Sequence, residues 1–358
     1  MIFGRNTGIT DTLLFLSIII ISIFGLILLY SATNQDIDIV TRQATRLFFC
    51  FILMLIIGVI DINKIKMVAP YIYLACVFFL LVTLFWGHES KGANRWIIIF
   101  GFSLQVSEIL KIVLPIILAW FLSLSEDKEI DLRKLLLSFI IIFLPILFII
   151  KQPDLGTSLI IFLCGLVSIF LGGIKKKHIV YLSGLFLIIT PLMWKFILLP
   201  YQKQRIITMI NPTSDPLGSG YHIIQSKIAV GSGGFFGKGF LNGTQSQLEF
   251  LPERGTDFIF SVLAEEFGFF GILILFIFYL IIIIRCIHIT SKAKTYFAKI
   301  LSGSVTCIFI LLILTNISMT IGVLPVVGVT LPLLSLGGSS LLSIFIAFGI
   351  MFSINRRN

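Results

Sequence analysis

Charged residues are scarce in this chain of 358 residues. Only 12% of the residues are Asp, Glu, Lys or Arg, whereas 58% are hydrophobic, and the mean hydropathy is +1.08. A soluble protein needs more polar side chains than this to cover its surface. The composition therefore excludes a soluble globular domain and indicates a polytopic membrane protein.

The sequence also lacks the usual markers of redox, metal and nucleotide chemistry. Its five cysteines lie in or beside apolar runs, with no Cys-x-x-Cys pair and no His or Cys partner at metal-ligand spacing. The glycine-rich stretch 231–239 lacks the GxxxxGK[ST] spacing of a nucleotide-binding loop, and we interpret it as a flexible loop beside the membrane. The first apolar run has no convincing signal-peptide cleavage site, so we expect it to be retained as a span.

The net charge of +10 invites a nucleic-acid interpretation, but no basic run is interleaved with polar structure. Lys and Arg are concentrated instead in alternate short loops between the apolar runs, as the positive-inside rule predicts. We therefore expect both termini to be cytoplasmic and no nucleic-acid partner.

Ten apolar runs approach the length of about 20 residues that a membrane-spanning helix needs. They predict an all-α polytopic membrane protein with about ten transmembrane helices, in a single domain covering 1–358 without internal repeats. The approximate limits of the runs are 12–32, 44–60, 69–86, 105–123, 134–150, 155–173, 178–198, 258–284, 297–321 and 338–354.

Two segments break the pattern of spans and short connections. Residues 199–257 form one long outer loop between the seventh and eighth spans, and connections of this length usually carry function. We expect short amphipathic helices within it, for instance around 220–230. Residues 322–340 contain Pro325, Pro332 and paired glycines, which predicts a re-entrant or broken segment facing the same outer cavity.

Asp257 is the leading candidate for a catalytic group. It stands at the outer mouth of the eighth span, where a carboxylate is costly unless it is used. Arg254, three residues earlier, can pair with it, and Glu249 and Glu253 are further acids on the same loop. The alternative is that Asp257 only stabilises the start of the helix, as an N-cap or first-turn residue.

Other charged side chains lie in or next to the spans. Glu108 and Lys111 stand three residues apart in the fourth span and form either a structural pair or one that shapes a polar groove. Asp154 follows a proline at the start of the sixth span, where a turn role dominates. Glu265 shares a broad helix face with Asp257 and is placed with the residues that support the cavity, whereas an interhelical anchoring role is favoured for the next residue, Glu266.

The long loop carries the cations that an anionic lipid head group would need. Backbone amides of its glycine-rich part could assist them. The candidate pyrophosphate-binding residues are Lys203, Arg205, Lys227, Lys238 and Arg254.

Ordered motifs along nearly the whole chain resemble the SEDS family (shape, elongation, division and sporulation) of bacterial membrane proteins. The stretch from Gly243 to Arg254, Gly-Thr-Gln-Ser-Gln-Leu-Glu-Phe-Leu-Pro-Glu-Arg, resembles the RodA-type branch in particular. The other motifs are Tyr30-Ser-Ala, Ala93-Asn-Arg-Trp-Ile, Gln105-Val-Ser-Glu-Ile-Leu-Lys, Lys151-Gln-Pro-Asp-Leu-Gly-Thr, Gly231-Ser-Gly-Gly, Thr256-Asp-Phe-Ile-Phe, Pro325-Val-Val-Gly and Leu336-Gly-Gly-Ser-Ser.

The resemblance implies a peptidoglycan glycosyltransferase that polymerises lipid II at the outer face of the bacterial inner membrane during cell elongation and rod-shape maintenance. It implies that Asp257 is the essential catalytic residue, as a general base or a metal-binding carboxylate, while Glu108, Lys111 and Asp154 line or support the cavity. A divalent cation, Mg²⁺ or Mn²⁺, or the loop cations would hold the pyrophosphate, and no nucleotide is expected. The partners implied are the growing glycan strand, a class B penicillin-binding protein acting as transpeptidase, and other elongation-complex proteins.

Three positions depart from the family pattern. Val106 and Leu336 replace a usual Pro and Tyr, and Gly255 stands where His usually precedes Thr-Asp. The last departure removes a possible hydrogen-bonding group beside Asp257.

Three alternatives remain open. The same polar groove would serve a lipid II flippase, in which Glu108 and Lys111 would be the working centre. The protein could instead be a scaffold for the transpeptidase, or an FtsW-like polymerase specific to division.

Overall fold

Ten long helices occupy the positions of the ten predicted spans. The computed structural model describes residues 11–90, 93–99, 102–124, 129–215, 218–248, 250–251 and 253–357. The ten helices are α1 (Thr12–Ala32), α2 (Ile37–Val59), α3 (Ile62–Trp86), α4 (Val106–Leu122), α5 (Leu132–Lys151), α6 (Leu155–Leu171), α7 (Lys176–Leu192), α11 (Ile259–Lys292), α12 (Tyr296–Thr320) and α13 (Gly338–Arg356). Eight of them are long and apolar enough to cross a membrane, α7 only when the turn that continues it to Phe196 is included. The helices α4 and α6 are shorter, with 17 residues each. The predicted all-α polytopic fold is confirmed.

The helix α7 stands apart from the bundle. Its one buried residue is His178, and it continues as a π-helical turn over Met193–Ile197. Large apolar side chains along it, such as Tyr181 and Leu187, are 70% and 73% exposed. The rest of the described chain therefore leaves most of this helix uncovered.

A small antiparallel sheet precedes α4 and was not predicted. Its strands, in spatial order, are β1 (His88–Ser90), β2 (Ala93–Ile99) and β3 (Phe102–Gln105). The strands are short and β2 is apolar over most of its length, so nothing in their sequence separates them from the ends of the neighbouring spans. Arg95 in β2 donates from Nε to the carbonyl of Gln152 (3.0 Å), which ties the sheet to the α5–α6 hairpin.

The long outer connection is largely helical. It contains α8 (Pro200–Ile210), α9 (Ser219–Ser232) and the single-turn helix α10 (Thr244–Gln247). The predicted helix around 220–230 is confirmed as α9. Ser226 fixes α9 to the bundle: its Oγ donates to the carbonyl of Thr320 (2.6 Å) and hydrogen-bonds Ser261 Oγ (2.7 Å).

The helix α11 is interrupted at Gly268, whose φ of 63° and ψ of −159° are not helical. Backbone groups freed by the interruption are paired with the glycine-rich stretch of the outer loop, as burial in a membrane requires. Four hydrogen bonds of 2.9–3.0 Å join the amides of Lys238 and Gly239 to the carbonyls of Glu265 and Glu266, and the amides of Phe269 and Phe270 to the carbonyls of Gly234 and Phe235.

This pairing corrects the interpretation of 231–239 as a flexible loop. The approach is so close that a Cβ on Gly237 would lie 2.1 Å from the carbonyl oxygen of Glu266. Glycine is therefore required at position 237. The stretch 231–239 is an ordered segment whose backbone pairs with the groups that the interruption of α11 leaves without helical partners.

Residues 321–337, between α12 and α13, have no regular secondary structure, as predicted. We call them the re-entrant segment. Its centre is buried in protein: Leu333 is 3% exposed, and the Tyr279 hydroxyl donates to the carbonyl of Pro332 (2.6 Å). Gly25 lets α1 approach, because a Cβ there would stand 2.8 Å from the Leu333 carbonyl oxygen.

Ion pairs tie the helices together at the other end of the bundle. Arg285 of α11 binds Asp11, which also caps α1, and Arg357 Nη2 lies 2.7 Å from Asp61 Oδ2. These ion pairs lie at the end of the bundle that holds both ends of the described chain. The re-entrant segment and the long loop lie together at the opposite end.

Candidate active site

Asp257 lies in the turn that leads into α11 and is half-buried. Its amide donates to the carbonyl of Glu253 (3.1 Å). The N-cap position of α11 belongs to Phe258, which has no side-chain capping bond. The structure therefore does not place Asp257 at the N-cap or in the first turn, where the helix-stabilising alternative required it. Glu249 lies outside the described residues.

The carboxylate of Asp257 faces the re-entrant segment at Gly328. A Cβ built on Gly328 would lie 3.7 Å from Asp257 Oδ2, and the φ of Gly328 is +75°. That backbone conformation favours glycine, and a side chain at this position would be in van der Waals contact with the carboxylate.

Asn316 holds the start of α11 and the re-entrant segment together, and this role was not predicted from the sequence. Its side chain is fully buried in α12, and Nδ2 donates to the carbonyl of Asp257 (2.9 Å) and to that of Val329 (2.6 Å). The one available signal was an amide side chain inside an apolar span, which is costly unless it is bonded.

Two further hydrogen bonds fix the residues just before Asp257. Ser335 Oγ donates to the carbonyl of Thr256 (2.5 Å), and the amide of Leu336 donates to the carbonyl of Gly255 (2.8 Å). Both bonds use backbone atoms of residues 255 and 256, so the departures from the family pattern at Gly255 and Leu336 leave this contact intact. Val106 is the first residue of α4, where the usual proline is also tolerated, so that departure does not alter the helix start.

Arg205 and Lys227 approach the same re-entrant segment from α8 and α9. Arg205 Nη1 donates to the carbonyl of Val326 (3.2 Å), two residues from Gly328. Lys227 lies over Gly322, with Nζ 2.7 Å from where a Cβ would be. Both side chains belong to exposed residues. Lys203 is two positions from Arg205 and so points about 200° around α8.

The structure does not place Lys238 and Arg254 as free ligands for a phosphate. Lys238 Nζ lies 2.8 Å from Glu265 Oε1 and 2.7 Å from Thr244 Oγ1, and Arg254 Nη1 donates to the carbonyl of Ser246. Both cations hold α10 in place, which corrects the equal treatment of the five loop cations.

Glu265 and Glu266 are adjacent in α11, but their side chains point to different partners. Glu265 is turned toward α10 rather than toward Asp257, which corrects the expectation that the two carboxylates share one cavity. Glu266 accepts a hydrogen bond from Ser31 Oγ on α1, so the predicted interhelical anchor is confirmed.

Asp154 has the predicted turn role. It occupies the N-cap of α6 and accepts from the amide of Thr157 (3.2 Å), while Arg95 Nη1 lies 3.5 Å from its Oδ2. Next to it, Gly156 allows the re-entrant segment to approach, because a Cβ there would stand 2.5 Å from the Val327 carbonyl oxygen. The hairpin therefore supports the segment on which Gly328 lies.

Glu108 and Lys111 form the predicted pair, with Nζ 2.6 Å from Oε1. Lys111 is 3% exposed, so the pair is inside the bundle. The pair lines a narrow cavity with room for about one water molecule. Its other polar lining residues are Thr330 and Ser335 of the re-entrant segment and Ser340 and Ser343 of α13.

The described residues contain no group of three or more His, Cys, Asp or Glu side chains that could hold a metal ion. Mg²⁺ is usually held by one or two carboxylates together with substrate phosphates. Asp257 fits that pattern only as one ligand of an ion that arrives with a phosphorylated substrate.

These features define a polytopic helical membrane protein with a carboxylate, two exposed cations and a buried re-entrant segment at one end. The family model of the FtsW, RodA and SpoVE cell cycle proteins matches residues 9–358. The chain belongs to this family, and it is a multi-pass protein of the bacterial inner membrane.

Curated relatives match along almost their whole length. The peptidoglycan glycosyltransferase MrdB of Escherichia coli K12 is 41% identical over 345 residues, covering 96% of this chain and 93% of the relative. The peptidoglycan glycosyltransferase RodA of Treponema pallidum is 30% identical over 430 residues, covering 99% of each.

Solved structures share the fold. A chain from a study of how a peptidoglycan synthase complex coordinates polymerization and crosslinking matches with a TM-score of 0.84 at 28% identity, covering 97% of this chain and 98% of that one. The rod shape determining protein RodA of Thermus thermophilus matches with a TM-score of 0.73 at 24% identity, covering 97% and 96%.

Proposed function

We propose that the protein is a peptidoglycan glycosyltransferase that polymerises lipid II at the outer face of the membrane during cell elongation. The names of the MrdB and RodA relatives support this activity. The observation that carries it for this chain is the position of Asp257, half-buried beside Gly328 with Arg205 and Lys227 along the same segment. A site on the outer face has no access to cytoplasmic nucleotides, and the proposed donor, a lipid-linked sugar, needs none.

The donor in this reaction is a sugar on a polyprenyl pyrophosphate. The pyrophosphate is a good leaving group and needs neutralisation of its charge more than protonation. We assign that task to Arg205 and Lys227, whose exposed side chains lie along the segment that Asp257 faces. Lys203 is directed elsewhere on α8, and Lys238 and Arg254 are engaged with α10.

Asp257 acts on the acceptor. Its carboxylate accepts the proton of the acceptor hydroxyl as that oxygen attacks the anomeric carbon of the donor sugar. The bond from this carbon to the pyrophosphate oxygen breaks in the same displacement, and an α-linked donor gives a β-linked product. Asn316 and the re-entrant segment keep the Asp257 backbone from moving during the transfer.

A divalent cation, Mg²⁺ or Mn²⁺, bound at this site would neutralise the charge of the pyrophosphate. Asp257 would hold it, together with substrate oxygens and water, in the alternative role of a metal-binding carboxylate rather than a general base. Polymerisation measured with and without a chelator, followed by Mg²⁺ or Mn²⁺ add-back, decides whether the loop cations suffice.

The functional partner proposed is a class B penicillin-binding protein, a transpeptidase that cross-links the new strands, together with other elongation-complex proteins. Similarity to a chain from a peptidoglycan synthase complex supports the pairing. An elongation role is favoured over a division role because identity is 41% to MrdB and 36% to the FtsW relative of Wigglesworthia glossinidia.

A lipid II flippase is the second candidate, and the buried Glu108–Lys111 pair beside the narrow cavity favours it. Purified protein in liposomes, given lipid II, separates the two functions when glycan formation and lipid translocation are measured in parallel. A polymerase forms glycan strands in detergent, where no translocation is possible. Translocation without any polymer would reject the proposal.

A further inference from the structure

The carboxylate of Glu265 is buried and charged, and it takes no part in the proposed glycosyl transfer. Its side chain is 0% exposed, and a buried charge is costly unless it is paired and hydrogen-bonded. Here it is fully satisfied. Oε1 accepts from Lys238 Nζ (2.8 Å), Gln245 N (2.9 Å) and Thr244 Oγ1 (3.0 Å), and Oε2 accepts from Ser246 N (3.2 Å).

Three of the four donors belong to α10, which has only four residues. A helix this short does not form without outside contacts. Its N-cap is Gly243, which has no side chain to accept from the first amides, and Glu265 replaces that missing cap. The position of α10 therefore depends on one carboxylate of the broken helix α11.

The side chain of Arg254 links α10 to the turn that carries Asp257. Arg254 donates to the carbonyl of Ser246, and Asp257 follows three residues later in the same turn. Gln247 Nε2 adds a bond to the carbonyl of Ser31 on α1 (3.2 Å). The carbonyl of Asp257 thus accepts from Asn316 in the bundle, and the turn that carries Asp257 is tied to α10 through Arg254.

We propose that Glu265 is a positioning residue for Asp257 and that it acts through α10 and Arg254. The inference rests on the proposed function, in which Asp257 is the base. A displacement of about 1 Å in a catalytic group can cost about 100-fold in rate. Loss of this carboxylate should therefore lower kcat much more than it changes the binding of lipid II.

The test compares Glu265→Ala and Glu265→Gln with Asp11→Asn in the full-length protein. Asp11 is a matched control at the other end of the bundle, because its buried carboxylate also pairs with a cation, Arg285, and caps a helix, α1. We expect kcat of polymerisation to fall about 100-fold in Glu265→Ala and about tenfold in Glu265→Gln, with KM for lipid II changed by less than about threefold. Asp11→Asn should keep kcat within about threefold of the wild type.

Limited trypsin digestion gives a second readout that does not need activity. Cleavage after Arg254, identified by fragment mass, should become about tenfold faster in Glu265→Ala, because a loop that opens locally is cut in proportion to its open population. If Glu265→Ala fails to fold, Glu265→Gln carries the same comparison with a smaller expected change.

The proposal is overturned if kcat falls while this cleavage stays at the wild-type rate, or if cleavage accelerates while kcat is unchanged. It is also overturned if Asp11→Asn reproduces both effects. Failure of the proposed function looks different: Asp257 variants would polymerise normally, while the trypsin comparison would still report whether Glu265 holds the loop.

Discussion

Asp257 and Gly328 face each other between the start of α11 and the re-entrant segment, with Asp257 Oδ2 3.7 Å from where a Gly328 Cβ would stand. The relationship joins two motifs that are 71 positions apart in the sequence. It explains why a glycine is favoured there: its φ of +75° is unfavourable for other residues, and a side chain would be in contact with the carboxylate.

Replacing Gly328 with alanine should therefore impair catalysis. Backbone strain of about 1–2 kcal/mol is expected from the left-handed conformation, together with a methyl group against the carboxylate. We expect the polymerisation rate to fall at least about tenfold, as measured by glycan formation from lipid II. The control is Gly173→Ala, which carries the same kind of strain at a φ of +80° in the α6–α7 connection. Equal loss in both variants would mean that strain alone, and not the site, is responsible.

The Glu108–Lys111 pair should be more sensitive to the loss of one partner than of both. Either Glu108→Gln or Lys111→Met leaves an unmatched charge inside the bundle, which costs about 3–5 kcal/mol. The double variant removes both charges and should recover most of that stability. The stability of each purified variant is measured by its thermal unfolding in the same detergent. An additive double variant would contradict the pairing seen at 2.6 Å.

Asn316 should matter for both stability and rate. Asn316→Ala removes the two hydrogen bonds that Nδ2 donates to the carbonyls of Asp257 and Val329, a loss of about 1–3 kcal/mol. We expect slower polymerisation with little change in KM for lipid II. Ser302→Ala on the same helix is the control, since that hydroxyl bonds within its own helix, to Ala298 and Lys299. A normal rate for Asn316→Ala would show that the Asp257 backbone needs no such clamp.

The assignment of the pyrophosphate cations predicts a contrast within one helix. Arg205→Gln should lower kcat/KM for lipid II by at least about tenfold, because a charge-assisted hydrogen bond is lost. Lys203→Gln, two residues away on α8, should have a much smaller effect. The measurement is the initial rate at several lipid II concentrations for both variants. Equal losses would favour a general electrostatic effect of the loop over a specific contact.

The ten helices could be predicted because their length and apolar composition are local properties of the sequence. The site was predicted in part for the same reason: Asp257, Glu108 and Lys111 are visible as charges in or beside apolar runs. The turn role of Asp154 followed from the proline that precedes it.

The rest of the site depends on partners distant in sequence. Gly268 looks like any glycine in an apolar helix, and the interruption there is possible only because the amide and carbonyl partners lie about 30 residues earlier, in 231–239. Lys238 and Arg205 look alike as loop cations, yet Lys238 pairs with Glu265 and Arg205 reaches the re-entrant segment. Such pairings are properties of the folded chain, so a single sequence does not separate these roles.

The most direct test of the central claim is the rate of glycan formation from lipid II by Asp257→Asn, with purified protein and matched wild type. Asparagine keeps the size of the side chain and removes its charge and basicity. We expect a loss of at least about 100-fold, the usual range for a general base, with an unchanged unfolding temperature. Glycan chains formed at the wild-type rate by a folded Asp257→Asn protein would contradict the account.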